Sequence, residues 1–334
     1  MIQFLGIAFA EDRVDLCFLG RDSRIAHRRS TPLANAAPGA AGGIIIPPAE
    51  WIRASSYLCR DAYLDLDVAD RKVWGLALAG PTGWIAIGRD LAALSDIRLM
   101  PAERIADDIR AWLDEDRRRR AQIEALLAPK DWFRFAVSGA LAWDATTAAR
   151  TGWTGADAGE WSDEELSARG MRRSWMPPIF PCAARTGQLT DDGMEQLGLQ
   201  GRSWMVAGAE LSVAAELGSG DTRGSVWASK RFGAIRFETG ATGRPAPVAV
   251  ADFIARPSAF DDSWSLERAW SGDATAIAAA TADLGAHAHD ARSVIESDGD
   301  PALGAAMLAA RSSGLVSSWD RIFRACEPPA GSPR

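Results

Sequence analysis

Residues 3–29, QFLGIAFAEDRVDLCFLGRDSRIAHRR, constrain the fold more than any other stretch. They hold three short apolar or alternating runs separated by EDR and GRD, which predicts an antiparallel meander with tight turns. Strands therefore come first. The next stretch, TPLANAAPGAAGGIIIPPAEW (31–51), is small and rich in Gly and Pro and reads as a loop, and Glu50 to Arg60 start a helix behind Pro48. KVWGLALAGPTGWIAIG (72–88) is one apolar run broken by GPTG, the pattern of two buried strands around a loop.

Residues 101–127 carry the clearest helical pattern, with Pro101 suited to a first turn and Ile105, Ile109 and Leu113 recurring every fourth residue. The DEDRRRR segment within it places Asp114 with Arg118, Glu115 with Arg119 and Asp116 with Arg120 at i,i+4, each pair worth roughly a few tenths of a kcal/mol. A solvated helix face, not a basic patch, is the expectation. Beyond Asp131, helical pieces alternate with Trp- and Gly-rich turns. Gly224–Phe237 alternates like a strand pair, PVAVADFIA (247–255) reads as a strand, 264–284 and 301–325 read as helices, and EPPAGSPR is a loose tail.

The chain has 334 residues, 47% hydrophobic and 24% charged, which allows two ordinary domains or one large one with a sizeable core. A net charge of -7 opposes phosphate backbones and anionic membranes, so neither nucleic acid nor a membrane is an expected partner. Cys17, Cys59, Cys182 and Cys326 are widely spaced without a CxxC pair, which gives neither a disulfide framework nor a zinc pattern. The opening MIQFLGIAFAEDR has no basic segment before its apolar run, and a cytoplasmic protein is expected. HAHD (His287, His289, Asp290) offers imidazoles at i,i+2 without a third ligand and reads as loop, so no metal site is expected.

Residues 126–170, LLAPKDWFRFAVSGALAWDATTAARTGWTGADAGEWSDEELSARG, followed in order by MPPIFPCAARTGQLT, LGLQGRSWMVAGAE and GSGDTRGSV, resemble the FGGY family of carbohydrate kinases, the group of xylulokinase and glycerol kinase. FLGIAF, LSDIR and DPALGAAMLAARSSGL extend the resemblance over nearly the whole chain. It implies an actin-like, ribonuclease-H-like ATPase fold of two α/β domains, with 1–219 as the sugar domain and 220–334 as a truncated C-terminal nucleotide domain. The length missing relative to the family falls mainly between Phe237 and Asp300. The implied activity is phosphoryl transfer from ATP to a sugar hydroxyl.

Phosphoryl transfer needs charge neutralisation, positioning and an acceptor for the hydroxyl proton. By the resemblance, Ala8 stands where the family has a metal-linked Asp. Ala10 and Glu11 replace the Gly and Thr of the first phosphate loop, and Glu11 and Asp12 set carboxylates against phosphate oxygens. Leu211 stands at the proton acceptor. Neighbouring Glu210 is a weak substitute, because adjacent side chains at a helix start point about 100° apart; it reads as a first-turn acid favoured by the helix dipole. The second phosphate loop falls at KRFGA (230–234), where Arg231 and Phe232 are bulky, though Lys230 and Arg231 offer side chains to an anion such as a sugar phosphate. Gly304 and Ala305 match positions near the nucleotide in relatives, with close helix packing as the alternative. On the sugar side, Asp96, Arg98 and Asp144 match the family's acids and arginine, while Leu94 and Thr147 depart from it. Trp84 follows the AGPTG turn and is a candidate for stacking on a sugar.

Three readings stand. In the first the chain is a pseudokinase that works by binding a small sugar or polyol, or a protein partner, as a homodimer or with an active kinase subunit; no cofactor is expected. In the second it is a divergent carbohydrate kinase using ATP and Mg with Glu210 and Lys230 in relocated roles. In the third Asp96, Asp144 and Glu210 converge for acid/base chemistry without ATP.

Overall fold

The computed structural model describes residues 2–39, 42–67, 71–155, 158–223, 225–242, 254–260, 263–270, 277, 279, 294–316 and 318–326. The meander forms as expected: β1 (Ile2–Phe9), β2 (Arg13–Gly20) and β3 (Ile25–Pro32) pair antiparallel in sequence. The stretch read as a loop contains two short strands, β4 (Ala37–Pro38) and β5 (Ile44–Ile46), ahead of α1 (Pro48–Asp65), whose first turn holds Pro48. GPTG divides β6 (Lys72–Gly80) from β7 (Gly83–Gly88), and β8 (Ile97–Leu99) follows.

The helix expected over 101–127 is shorter than its pattern. α2 (Ile105–Glu115) ends where Asp116 turns extended, its carboxylate accepting the Arg118 N–H at 2.9 Å. After one turn, α3 (Arg119–Gln122), residues Ile123–Leu127 form strand β9, paired antiparallel with β7. Tertiary pairing of Ile123, Ala125 and Leu127 overrides the local helical preference. Of the three expected ion pairs, Glu115–Arg119 forms, at 2.7 Å.

Next come α4 (Pro129–Ser138), β10 (Trp143–Asp144), α5 (Ala145–Arg150), α6 (Asp163–Ala168), β11 (Ile179–Phe180), β12 (Arg185–Gln188), α7 (Asp191–Leu197), β13 (Trp204–Val206), β14 (Ala209–Glu210) and α8 (Leu211–Gly218). β6 lies parallel to β1, completing a seven-stranded sheet ordered β12-β13-β6-β1-β2-β3, with β14 also on β6; β4, β5, β8, β7 and β9 form a five-stranded sheet. Period-two alternation sends Leu5, Ile7 and Phe9 into a core with α1 and α4, where Phe9 stacks on buried Trp51 at 4.1 Å, and sends Phe4 and Ala8 to the opposite face. Truncating a core Trp such as Trp51 costs about 3–5 kcal/mol.

The hairpin of β15 (Val226–Ser229) and β16 (Ala234–Thr242) opens a second five-stranded sheet. β17 (Ile254–Pro257) overlaps the expected strand 247–255 in its first two residues and runs on to Pro257; 247–253 lie outside the described residues. The helix expected from residue 264 is a correction: Ser263–Ala269 is strand β18, sandwiched between β16 and β17. β19 (Val294–Glu296) completes the sheet, and most of 271–293, with the HAHD segment, lies outside the described residues. The helix expected over 301–325 is two, α9 (Pro301–Ser312) and α10 (Trp319–Cys326), divided where Gly314 takes φ 71°. α9 packs back across β1 onto the first sheet and along α8. Among the described residues no helix is long and apolar enough to cross a membrane.

Candidate functional site

β1, β6 and β14 run parallel with Ala8, Ala79 and Ala209 side by side, so their C-terminal ends share one edge. That edge gathers the β1–β2 turn, the Gly80–Gly83 turn and the start of α8.

Leu211, the first residue of α8, is buried in the apolar core with Val213, Ala214 and the residues of α9. Glu210 caps the helix: its carboxylate accepts the Ser212 N–H at 3.1 Å and the Ser212 hydroxyl. It also lies 3.4 Å from the Arg150 guanidinium and 3.8 Å from that of Arg236. Glu210 is therefore the helix-start acid that the dipole argument favours, engaged in a charged cluster.

The cluster continues into the C-terminal sheet. Arg236 on β16 faces Glu267 on β18 as its register partner and reaches Glu216 on α8 at 3.3 Å. Arg150, at the end of α5, grips both oxygens of Glu267, one at 2.8 Å. Burial pushes the Glu267 carboxyl up, but Arg236 and Arg150 outweigh it and bring the pKa down to about 2. At Glu216 burial wins over Arg236 and raises the carboxyl above its ordinary range.

Asp144 is fully buried. One oxygen caps α5, accepting the Thr146 and Thr147 amides at 2.9 and 3.0 Å, and the other meets Lys130 Nζ at 2.6 Å. Burial pushes its pKa up, yet Lys130 and these hydrogen bonds hold it below the usual carboxylate range. Lys130 also pairs with Asp131, which Arg134 holds at 2.8 Å. Four interior charges thus balance, and the geometry makes Asp144 a cap and ion-pair member with no exposed surface for a sugar.

Trp84 is likewise interior: 1% exposed, it donates its indole N–H to Asp108 at 2.9 Å and packs edge-on against Trp112. A ring so enclosed cannot stack on a sugar face, which corrects that expectation. Arg98 sits opposite Trp84 across β7 and β8, lies over its ring and binds the same Asp108 at 3.3 Å. Asp96 stands exposed on the loop before β8.

The second loop is the β15–β16 turn. Asp298 accepts the Ser229 hydroxyl at 2.7 Å and the Arg231 N–H at 3.0 Å, contacts that lower its pKa. Lys230 pairs with Glu296 at 3.3 Å on the surface. Arg231 lines an open cavity of about 530 Å³ together with Arg13, Arg28 and Asp300, where Arg28 already pairs with Asp300 at 3.0 Å and Arg13 with Asp15 at 3.1 Å. In the first turn, the Ala10 N–H closes on the Arg13 carbonyl at 2.9 Å and Glu11 and Asp12 face solvent. Gly304 serves helix packing: a Cβ there would lie 1.9 Å from the Ala214 carbonyl oxygen.

Six of the candidate residues fall into three groups: Trp84 with Arg98 on Asp108, Asp144 joined to Glu210 through the Thr146 hydroxyl, and Lys230 with Arg231 at the far turn; Asp96 and Gly304 belong to none of them. Among the described residues no three His, Cys, Asp or Glu side chains are grouped to hold a metal ion. Sequence reasoning missed Arg150, Glu216, Arg236, Glu267 and Asp298, whose partners are distant in the chain. It passed over Lys130 and Arg134, although charges one helical turn apart in an otherwise apolar segment were visible.

Residues 108–218 match the model of the FGGY family of carbohydrate kinases, N-terminal domain. Xylulose kinase of Klebsiella pneumoniae is 41% identical over 69 residues, 21% of this chain and 14% of that protein. Xylulose kinase of Escherichia coli (strain K12) is 32% identical over 99 residues, 30% and 20% of the two chains. The matched segments thus span at most a fifth of these curated relatives. Among solved structures, xylulose kinase from Rhodospirillum rubrum superposes with a TM-score of 0.68 at 15% identity, covering 86% of this chain and 66% of that one. The xyloylose kinase from Brucella ovis gives 0.66 at 21% identity, covering 85% and 64%. These likenesses show the α/β actin-like ATPase fold.

Proposed function

From its likeness to the FGGY family of carbohydrate kinases, we propose that this chain is a pseudokinase, acting by binding rather than by phosphoryl transfer. One observation carries the reading: Leu211, at the family's proton acceptor, is packed in the core, while the carboxylate of Glu210 is engaged by Ser212 and two arginines. Loss of a positioned base alone costs about 10²- to 10⁴-fold in rate.

The turns support it. Asp298 takes up donors of the β15–β16 turn, and Glu11 and Asp12 stand at the first. A carboxylate about 4 Å from a phosphate oxygen costs roughly 1–4 kcal/mol between bulk water and a protein surface. These residues do not fit a nucleoside triphosphate with Mg. The bound molecule in this proposal is a sugar or polyol, or a protein partner such as a second copy or an active kinase subunit. The setting is cytoplasmic, in keeping with the thiols of Cys59 and Cys182, which are free and which burial pushes up to about 12.

The test is a coupled ADP-release assay with Mg-ATP and a panel of sugars and polyols including xylulose, gluconate and glycerol. The account expects no turnover above background for any of them. Sugar-dependent ADP release abolished by Glu210→Gln would instead establish the divergent kinase.

A further inference from the structure

The charged cluster beside Glu210 draws on elements far apart in the chain. Arg150 belongs to α5, Glu210 and Glu216 flank and line α8, and Arg236, Arg256 and Glu267 stand on β16, β17 and β18. Two guanidiniums, those of Arg150 and Arg236, pair with the three carboxylates. The Ser212 hydroxyl joins them, donating to Glu210 and accepting from Arg150 and Arg236.

Three contacts tie the C-terminal sheet directly to α5. Arg150 grips Glu267 with two nitrogens on two oxygens, a geometry that fixes orientation as well as distance. Arg256 donates to the Ala149 carbonyl at 2.8 Å, in the last turn of the same helix, where carbonyls lack a full set of intrahelical partners. Between these polar ties, the Trp264 ring packs on Ala149 and Ala158. On the other side Arg236 ties the sheet to α8 through Glu216 and Ser212. Opening the crevice between α5 and β17–β18 would break the paired Arg150–Glu267 contact and the Arg256 bond and wet the Trp264 ring together.

We infer that Arg150, Arg256, Glu267 and Trp264 form a latch that fixes the C-terminal sheet on α5, so that this crevice stays shut and the chain moves as one rigid body. The inference rests on the contacts alone and goes beyond the proposed function: a latched chain has no ligand-driven closure of its two sheets, whichever ligand it binds.

Spin labels test it directly. Asp107→Cys on α2 and Val294→Cys on β19 are exposed attachment points, with Cys326→Ser removing a competing thiol while Cys17, Cys59 and Cys182 are buried. Pulsed dipolar spectroscopy of the full chain is expected to give one narrow distance distribution, unchanged by millimolar xylulose with Mg-ATP. Arg150→Met is expected to broaden it at least twofold. Because that variant leaves Glu267 short of a partner, Arg150→Met with Glu267→Met serves as the second variant, removing both charges and broadening the distribution likewise. A broad or ligand-shifted distribution in the parent overturns the latch, as does an unchanged narrow peak in the double variant. Phosphoryl transfer by the parent with a fixed distance would sink the pseudokinase reading and leave the latch standing.

Discussion

Lys130 and Asp144 form an ion pair at 2.6 Å with neither side chain exposed. Asp144 caps α5 with its other oxygen, so the pair links α4 to the helix that carries Arg150. Lys130→Met should leave the buried Asp144 carboxyl without the partner that offsets its burial, costing about 3–5 kcal/mol. Urea unfolding monitored by Trp fluorescence reads this, with Asp96→Ala, an exposed acid, as the control expected within about 0.5 kcal/mol of the parent.

Glu267 makes the cluster pH-sensitive. Its folded pKa, about 2, lies below the ordinary 4.5, so its contribution is fully present above pH 4.5 and is lost as pH falls toward 2. The shift corresponds to stability on the order of 3 kcal/mol. Glu216, raised by burial, acts in the opposite sense, favouring the folded state when protonated and losing that contribution as pH rises through the unfolded pKa toward the folded one. Between pH 4.5 and 2 the parent should therefore lose more stability than Glu267→Gln; thermal melts across that window with equal slopes would contradict the assignment.

Gly304→Ala should be strongly destabilising although alanine is the better helix former. The added Cβ would sit 1.9 Å from the Ala214 carbonyl oxygen, so α8 and α9 must separate. Overpacking of this kind costs about 1–3 kcal/mol or more, and a melting temperature equal to the parent's would show that the helices yield freely.

These three cases also mark what the sequence discloses. The meander and the strands flanking GPTG are legible because alternation and turn residues are local, and the α/β class and the likeness to the FGGY family follow from ordered motifs. β18 is not legible: in SWSLERAW the apolar residues suit a helix as well as a strand, and the arbiter is pairing with β16, where Glu267 faces Arg236 from 31 residues away. β9 fails for the same reason, its strand state resting on β7. At the site, the resemblance identifies Asp144 and Leu211 by position. Only the fold shows that Lys130 buries the first as an ion pair and that α9 packs over the second.

Leu211→Asp restores the family's residue type without its surroundings. It should give no sugar-dependent ATP hydrolysis, because Asp298 and the Glu11–Asp12 turn are untouched, and it should lower stability by placing a carboxylate in the α8–α9 core. Ready phosphoryl transfer by this variant would contradict the account of both turns.

The central claim, a kinase-like fold without nucleotide chemistry, is tested most directly by calorimetric titration of the pure chain with Mg-ATP. The account predicts no detectable heat at millimolar nucleotide. A micromolar dissociation constant, roughly −8 kcal/mol of binding free energy, would contradict it, since turns that hold carboxylates against the phosphates cannot supply such affinity.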